Sequence, residues 1–162
     1  MKNLLKLSAI CVVFSMLFVS CNKEPEKQPV ESIAGNVETP SWAKPSEYDM
    51  SVSMTGIVKV DLALSFNQAQ LLVSNYQPST GDMVAAFSGS DCIGVGELKD
   101  GLYYLYMSGK TDQSIDQVTL RYYSATVKNI FVATETFAFV NDGQIGTYSE
   151  PYAPKFAVEK AE

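Results

Sequence analysis

The chain contains no histidine. That absence excludes Ser-His-Asp and Cys-His nucleophilic catalysis, and every metal site built on imidazole. Cysteine is nearly as scarce, with Cys11, Cys21 and Cys92 making up the whole set. Three thiols so placed make no cysteine cage for a metal. Basic residues are also few, 12 against 18 acidic, for a formal charge of −6. Phosphate backbones need a basic footprint, so the charge argues against nucleic acid as a partner. It argues equally against electrostatic adhesion to anionic lipid. A phosphate loop is missing too, because Gly94-Val95-Gly96 lacks a third glycine and sits inside a strand pattern. No cofactor and no metal are expected.

What is present begins with one apolar run. Lys2 and Lys6 lead into residues 7–20, a stretch of 14 residues without a charge. A spanning helix needs about 20. The run is therefore read as the apolar region of an export signal, to be set aside before fold reasoning. It ends in Phe18-Val19-Ser20-Cys21, with polar sequence following at once. This ending resembles the lipobox of bacterial lipoprotein signal peptides, with small Ser20 before the cysteine and Phe18 where Leu is usual. The resemblance implies lipidation of the Cys21 thiol, cleavage just before it and acylation of the new amine. One acyl chain holds a protein marginally, whereas two or more hold it stably, at about 0.8 kcal/mol per buried methylene. The membrane is then a partner through the N-terminal lipid.

Removing residues 1–20 takes away Lys2 and Lys6 and no acid, so the formal charge moves from −6 to −8. Cys11 leaves with that segment and Cys21 is lipidated, so Cys92 has no disulfide partner in its own chain. With apolar neighbours, it is expected to be a small buried hydrophobe. Residues 21–46 are rich in Lys, Glu, Gln and Ser and carry Pro25, Pro29, Pro40 and Pro45. They are expected to form a flexible tether, with one domain over residues 47–162. Trp42, the sole tryptophan, is either the first packed residue or an exposed part of the tether. Glu24 and Glu26 resemble part of the acidic export signal of surface lipoproteins in Bacteroidetes, with Lys23 and Lys27 interleaved. That implies an outer-membrane anchor facing the cell exterior.

Alternation with period two dominates the rest. Met50, Val52 and Met54 alternate with polar residues, Gly56 suggests a bulge, and Val58, Val60, Leu62 and Leu64 continue the pattern. Further strands are expected over residues 83–87, 92–98, 102–107, 118–123 and 130–140. Turn chemistry separates them at residues 75–82, at Gly89-Ser90-Asp91, at Asp100-Gly101 and at Asn141-Asp142-Gly143. One or two helical turns compete at residues 66–73. The expected fold is all-β: a single β-sandwich, or an open barrel-like domain, of short antiparallel strands.

Several blocks recur together: Gly81-Asp82-Met83-Val84-Ala85-Ala86-Phe87, Gly89, Cys92-Ile93-Gly94, Tyr104-Leu105-Tyr106, Arg121-Tyr122-Tyr123 and Phe137-Ala138-Phe139. Their order over residues 48–154 resembles a β-rich module of lipoproteins and secreted surface proteins of Bacteroidetes. "GD-x-V-A-A-F-x-G-x-x-C-x-G" is its most distinctive block, although Ile93 stands where Arg is common. The resemblance implies a sandwich-like fold and surface placement, and no catalytic activity.

Some carboxylates could still do chemistry. Asp91, Glu97 and Asp100 surround one hairpin and could flank a glycosidic bond, although turn and solvent-facing roles explain them as well. Asn141 and Asp142 could contribute to a calcium site but lack the repeated acidic spacing of one. Aromatics are the strongest remaining signal. Alternation sets Tyr104 and Tyr106 on one face with Leu102, and Tyr103 on the other with Leu105 and Met107. Together with Tyr122 and Tyr123 they form either a ligand-stacking platform or cross-strand core packing. The expectation is a non-catalytic surface lipoprotein that binds a glycan or another surface protein, or serves as a structural module. The alternative is a small glycan-active enzyme or an accessory subunit of an outer-membrane glycan-uptake complex.

The lipobox-like ending generates a direct test. Metabolic labelling with a radioactive or clickable fatty acid is expected to mark the wild-type chain, and Cys21→Ala is expected to abolish the label. Label retained in that variant would reject lipidation at this residue.

Overall fold

The computed structural model describes residues 32–44, 46, 52–71, 76–109 and 115–160. The expected export signal at residues 1–20, Cys21 and residues 22–31 of the expected tether lie outside the described residues, as do Met50, Leu72 and Val73.

The domain is all-β. Its strands are β1 (Ser53–Val58), β2 (Met83–Ser88), β3 (Asp91–Lys99), β4 (Leu102–Ser108), β5 (Gln117–Ser124), β6 (Asn129–Ala133), β7 (Phe137–Ala138), β8 (Gly143–Ile145) and β9 (Phe156–Val158). They form one curled sheet in the order β8-β1-β4-β3-β2-β5-β6-β9, with β7 beside β5. The outcome is the open-barrel alternative, a half-barrel whose concave face holds the core. One pair is not antiparallel: β8 runs parallel to β1. The strand before β8 comes from the far side of the sheet, so β8 reaches β1 by a crossover and not by a hairpin.

Local chemistry sets the hairpins. Between β3 and β4 the loop is Asp100-Gly101, both at positive φ (53° and 77°), with Lys99 opposite Leu102. Two positive-φ residues make the turn whose twist matches its strands. The β2–β3 loop begins with Gly89 at φ 59°, and its strands keep register except for a bulge between Ala86 and Phe87. Strand β3 then passes from β2 to β4. At Gly94 an added Cβ would lie 2.6 Å from the Tyr106 carbonyl oxygen, so only glycine fits this crossing of backbones.

Three expectations from the pattern change. Gly56 marks no bulge: β1 is in register with β4 from Ser53 to Val58, and Gly56 faces inward beside Leu105. The strand does not continue to Leu64. Asp61 accepts a hydrogen bond from the Ala63 N–H and caps a single 3₁₀ turn at Leu62–Leu64, which buries Leu62. The run at 130–140 is broken into β6 and β7 by a bend at Thr134-Glu135. The helical turns exist as α1 (Gln68–Leu71). Among the described residues, no helix is long and apolar enough to cross a membrane.

The expected tether boundary also moves. Residues 32–44 run along the outer face of β2, β5 and β6 as a strap. Gly35 N and Val37 N donate to Val127 O and Lys128 O at 2.9 Å each, and Asn129 Nδ2 donates to Ile33 O at 2.9 Å. Ile33 is buried, and the Trp42 ring meets Phe87 edge-on at 5.7 Å. Composition suggested a mobile segment, but these backbone groups and the indole have partners on the domain.

The core centres on Tyr122. Its ring lies 6.0–6.5 Å from those of Phe156, Tyr103, Phe131 and Tyr76. A carboxylate sits among them. Asp82, 8% exposed, accepts from the Ala125 N–H at 2.7 Å through Oδ1. Its Oδ2 accepts from the Ser79 N–H at 2.8 Å and the Tyr122 hydroxyl at 2.6 Å, and lies 3.3 Å from the Tyr76 hydroxyl. Tyr76 in turn meets the Tyr122 and Ser124 hydroxyls at 2.5 and 2.6 Å. Because a carboxylate only accepts, the donors run in one direction: Val127 N–H to Ser124, Ser124 to Tyr76, Tyr76 to Tyr122, and Tyr122 to Asp82.

Burial pushes the Tyr76 hydroxyl up to about 12, and burial followed by the nearby polar groups and the Asp82 charge raises Tyr122 and Tyr103 as well. An unfolded tyrosine ionises near 10. Above that value the unfolded chain releases protons that the folded chain keeps, so stability falls as pH rises. The network is therefore expected to contribute fully below pH 10, with melting temperature declining between about pH 10 and 12. Tyrosinate absorbance should show a late, cooperative component that coincides with unfolding. Reversible titration of all nine tyrosines near pH 10 in the folded protein would contradict this.

Candidate functional site

The five tyrosines singled out in the sequence fall into two groups. Tyr103 and Tyr122 are fully buried, and both rings belong to the core. The Tyr103 hydroxyl has no hydrogen-bond partner among the described residues. Tyr123 lies on the outer face of the sheet but is covered by the strap, its hydroxyl donating to Val37 O at 3.3 Å. These three present no ring face to solvent, which corrects their place in a stacking platform. The physical reason is alternation. Tyr103 shares the inward face with Leu105 and Met107, and Tyr122 shares it with Leu120.

Tyr104 and Tyr106 point outward from β4. Tyr104 stands in register between Ile57 of β1 and Glu97 of β3, and Tyr106 stands opposite Thr55. Tyr106 is 42% exposed, while Tyr104 is half-buried between its neighbours. The end of the strap returns here. Lys44 places Nζ 5.5 Å from the centre of the Tyr106 ring and donates to Ser108 Oγ at 2.7 Å. Gln144 of β8 extends the same row beyond Thr55. This face combines two aromatic rings, an aliphatic residue, a cation, an acid and amide and hydroxyl groups. Rings of this kind stack on the apolar faces of sugars or on protein side chains, while the polar rim fixes orientation.

A second aromatic arrangement is structural. Arg121 places its guanidinium carbon 4.5 Å from the Phe87 ring centre and pairs with Glu159 at 3.3 Å. Trp42 packs edge-on against the same Phe87 ring. The run from indole to phenyl to guanidinium to carboxylate fastens the strap to the sheet. Sequence reasoning left Trp42 open and did not couple it to Phe87. Pairing Phe87 with Thr119, and so placing it on the outer face, required the strand register.

The hairpin carboxylates are not brought together. Asp91 opens β3 and Asp100 follows its last residue, nine steps away, which at strand rise is about 30 Å. Paired glycosidase carboxyls stand about 5–9.5 Å apart. Glu97 and Asp100 are nearer in sequence, but both are exposed on the surface. Asn141 is engaged as a turn ligand: its Oδ1 accepts from Ser53 N at 2.9 Å, while Asp142 N donates to Ser53 O at 2.7 Å. Among the described residues no three Cys, Asp or Glu side chains gather as a metal site would require. Cys92 is half-buried, less enclosed than expected, because it sits at the β2–β3 bulge opposite Phe87. Burial still pushes its thiol up.

The residue that sequence reasoning missed is Asp82. The pattern places it at the end of a turn, whereas it is the hub of the buried network. The available signal was the Gly-Asp pair opening an apolar strand. Gly81 takes φ 95° to make the turn, and Asp82 then points inward.

Comparison with known protein families, with curated proteins and with solved structures found no match.

Proposed function

We propose that this chain is a lipid-anchored cell-surface lipoprotein whose half-barrel is a non-catalytic binding module. The anchor is Cys21, on the strength of the lipobox-like sequence around it, and the acidic residues behind it favour the outer face of the outer membrane. The observation that carries the binding reading is the outward pair Tyr104 and Tyr106, with Lys44 over one ring and Glu97 beside the other. Large rings on a sheet surface contribute nothing to the core, and their solvent exposure is relieved when a partner covers them. The partner is a glycan or another surface protein, recognised by ring stacking and a mixed polar rim. Catalysis is disfavoured by the absence of histidine and by the separation of Asp91 from the other hairpin carboxylates.

The test uses the mature chain on a glycan panel and on intact cells, with a melt for every variant. The Tyr104→Ala/Tyr106→Ala double variant is expected to lose about tenfold or more in binding, as hot-spot aromatics do, with a small change in stability. Tyr122→Ala, by contrast, is expected to lose about 3–5 kcal/mol of stability. Equal binding by the parent and the double variant, or no binding by the parent to either target, would reject this face as the site.

A further inference from the structure

The half-barrel ends at β9, and no strand pairs with its other side among the described residues. The ladder to β6 fixes which backbone groups are left there. Glu159 N donates to Ile130 O, and Thr134 N donates to Lys155 O, each at 2.9 Å. Residues 155, 157 and 159 therefore face β6, and the alternation of an antiparallel pair turns the N–H and C=O groups of Phe156 and Val158 to the open edge. At Phe156 the edge is already occupied, because its N–H donates to Ser65 Oγ at 2.8 Å.

Beyond Phe156 lies a groove of about 520 Å³, lined by the end of β9 and by Phe66 and Gln70. Ile33, Phe66 and Val158 supply its apolar surface, with Gln70, Asn129 and Lys160 on the rim. Val158 faces inward, since it lies opposite buried Phe131. Lys160 is exposed and makes no ion pair among the described residues, whereas its neighbour Glu159 is held by Arg121.

We propose that this groove accepts an extended peptide segment of a partner protein, added as a further strand along β9. The occupant pairs its backbone with Val158, places one apolar side chain between Ile33 and Phe66, and carries an acidic residue two positions away to meet Lys160. The open backbone groups select an extended chain, because main-chain pairing is what such an edge recognises. The apolar surface takes a single aliphatic side chain, and period two brings the acid onto the same side. The site is separate from the Tyr104/Tyr106 face and does not depend on it.

The probe is the capped pentapeptide Glu-Thr-Val-Thr-Glu, titrated into the mature chain and followed by amide NMR. Shifts and slowed hydrogen exchange are expected at the Val158 and Lys160 amides. The Lys-Thr-Val-Thr-Lys peptide should bind several-fold more weakly. Val158→Pro removes the N–H that faces the open edge and leaves the β6 ladder intact, so it should fold and bind about tenfold less. Should that variant fold poorly, an N-methyl group on the peptide's Val removes the reciprocal hydrogen bond, from the peptide N–H to the Val158 carbonyl, with the wild-type chain, and a similar loss is expected. The proposal is overturned by an absence of shifts at Val158 and Lys160 at millimolar peptide, or by equal binding of the N-methylated peptide. It is also overturned by concentration-dependent dimerisation through β9, which would make a second copy the occupant.

Discussion

A carboxylate buried inside a small β domain is the constraint on which the rest of this structure depends. An uncompensated charge in that position would cost several kcal/mol. Asp82 is tolerated because three donors converge on it, the Ser79 and Ala125 N–H groups and the Tyr122 hydroxyl, with Tyr76 donating to Tyr122 behind them. Satisfying it fixes the turn before β2, the turn between β5 and β6, and the hydroxyl ends of two core tyrosines. Those tyrosines in turn position the rings of Phe131, Phe156 and Tyr103. Among the described residues Cys92 is a free thiol and no disulfide is present, so this polar hub and the rings around it hold together segments that hairpins do not connect.

The half-barrel also has to manage its edges. The chain from β7 onward does this by serving both ends of the sheet. It pairs with β1 as β8, touches β1 again where Tyr152 bridges Val58, and then joins β6 as β9. The Phe137 and Tyr152 rings meet at 5.7 Å along this path. Curling the sheet around the core sends every second residue of β4 outward. Tyr104 and Tyr106 are therefore surface residues for the same reason that Tyr103 is a core residue. The strap covers the neighbouring face over β2, β5 and β6, and its Lys44 lies beside the ring of Tyr106 on β4.

Much of this is legible in the sequence. Period-two alternation located β2 through β5, and Asp100-Gly101 announced its own turn. The split between Tyr103 and the Tyr104/Tyr106 pair followed from parity alone. What could not be read depended on contacts distant in sequence. The packing of residues 32–44 is decided by Val127, Lys128, Asn129 and Phe87, which the polar composition of residues 21–46 as a whole does not reveal. Leu62 and Leu64 continued an alternating pattern, yet the Asp61 cap gave the backbone a better local solution. Tyr123 has the parity of a surface residue and is buried by a segment more than 80 positions away. Asp82 looked like ordinary turn chemistry because its partners Ala125 and Tyr122 are about 40 residues downstream.

The most direct measurement of the central claim is a double-mutant cycle in denaturant unfolding, with Asp82→Asn, Tyr122→Phe and the pair. The amide would turn an N–H group toward donors that need an acceptor, so Asp82→Asn is expected to cost about 2–4 kcal/mol. Tyr122→Phe removes one donor and should cost about 1–3 kcal/mol. The two should be coupled by at least about 1 kcal/mol, because each disables the same hydrogen bond. Variants within about 0.5 kcal/mol of the parent, with effects that simply add, would contradict the account and return the domain's stability to its apolar packing alone.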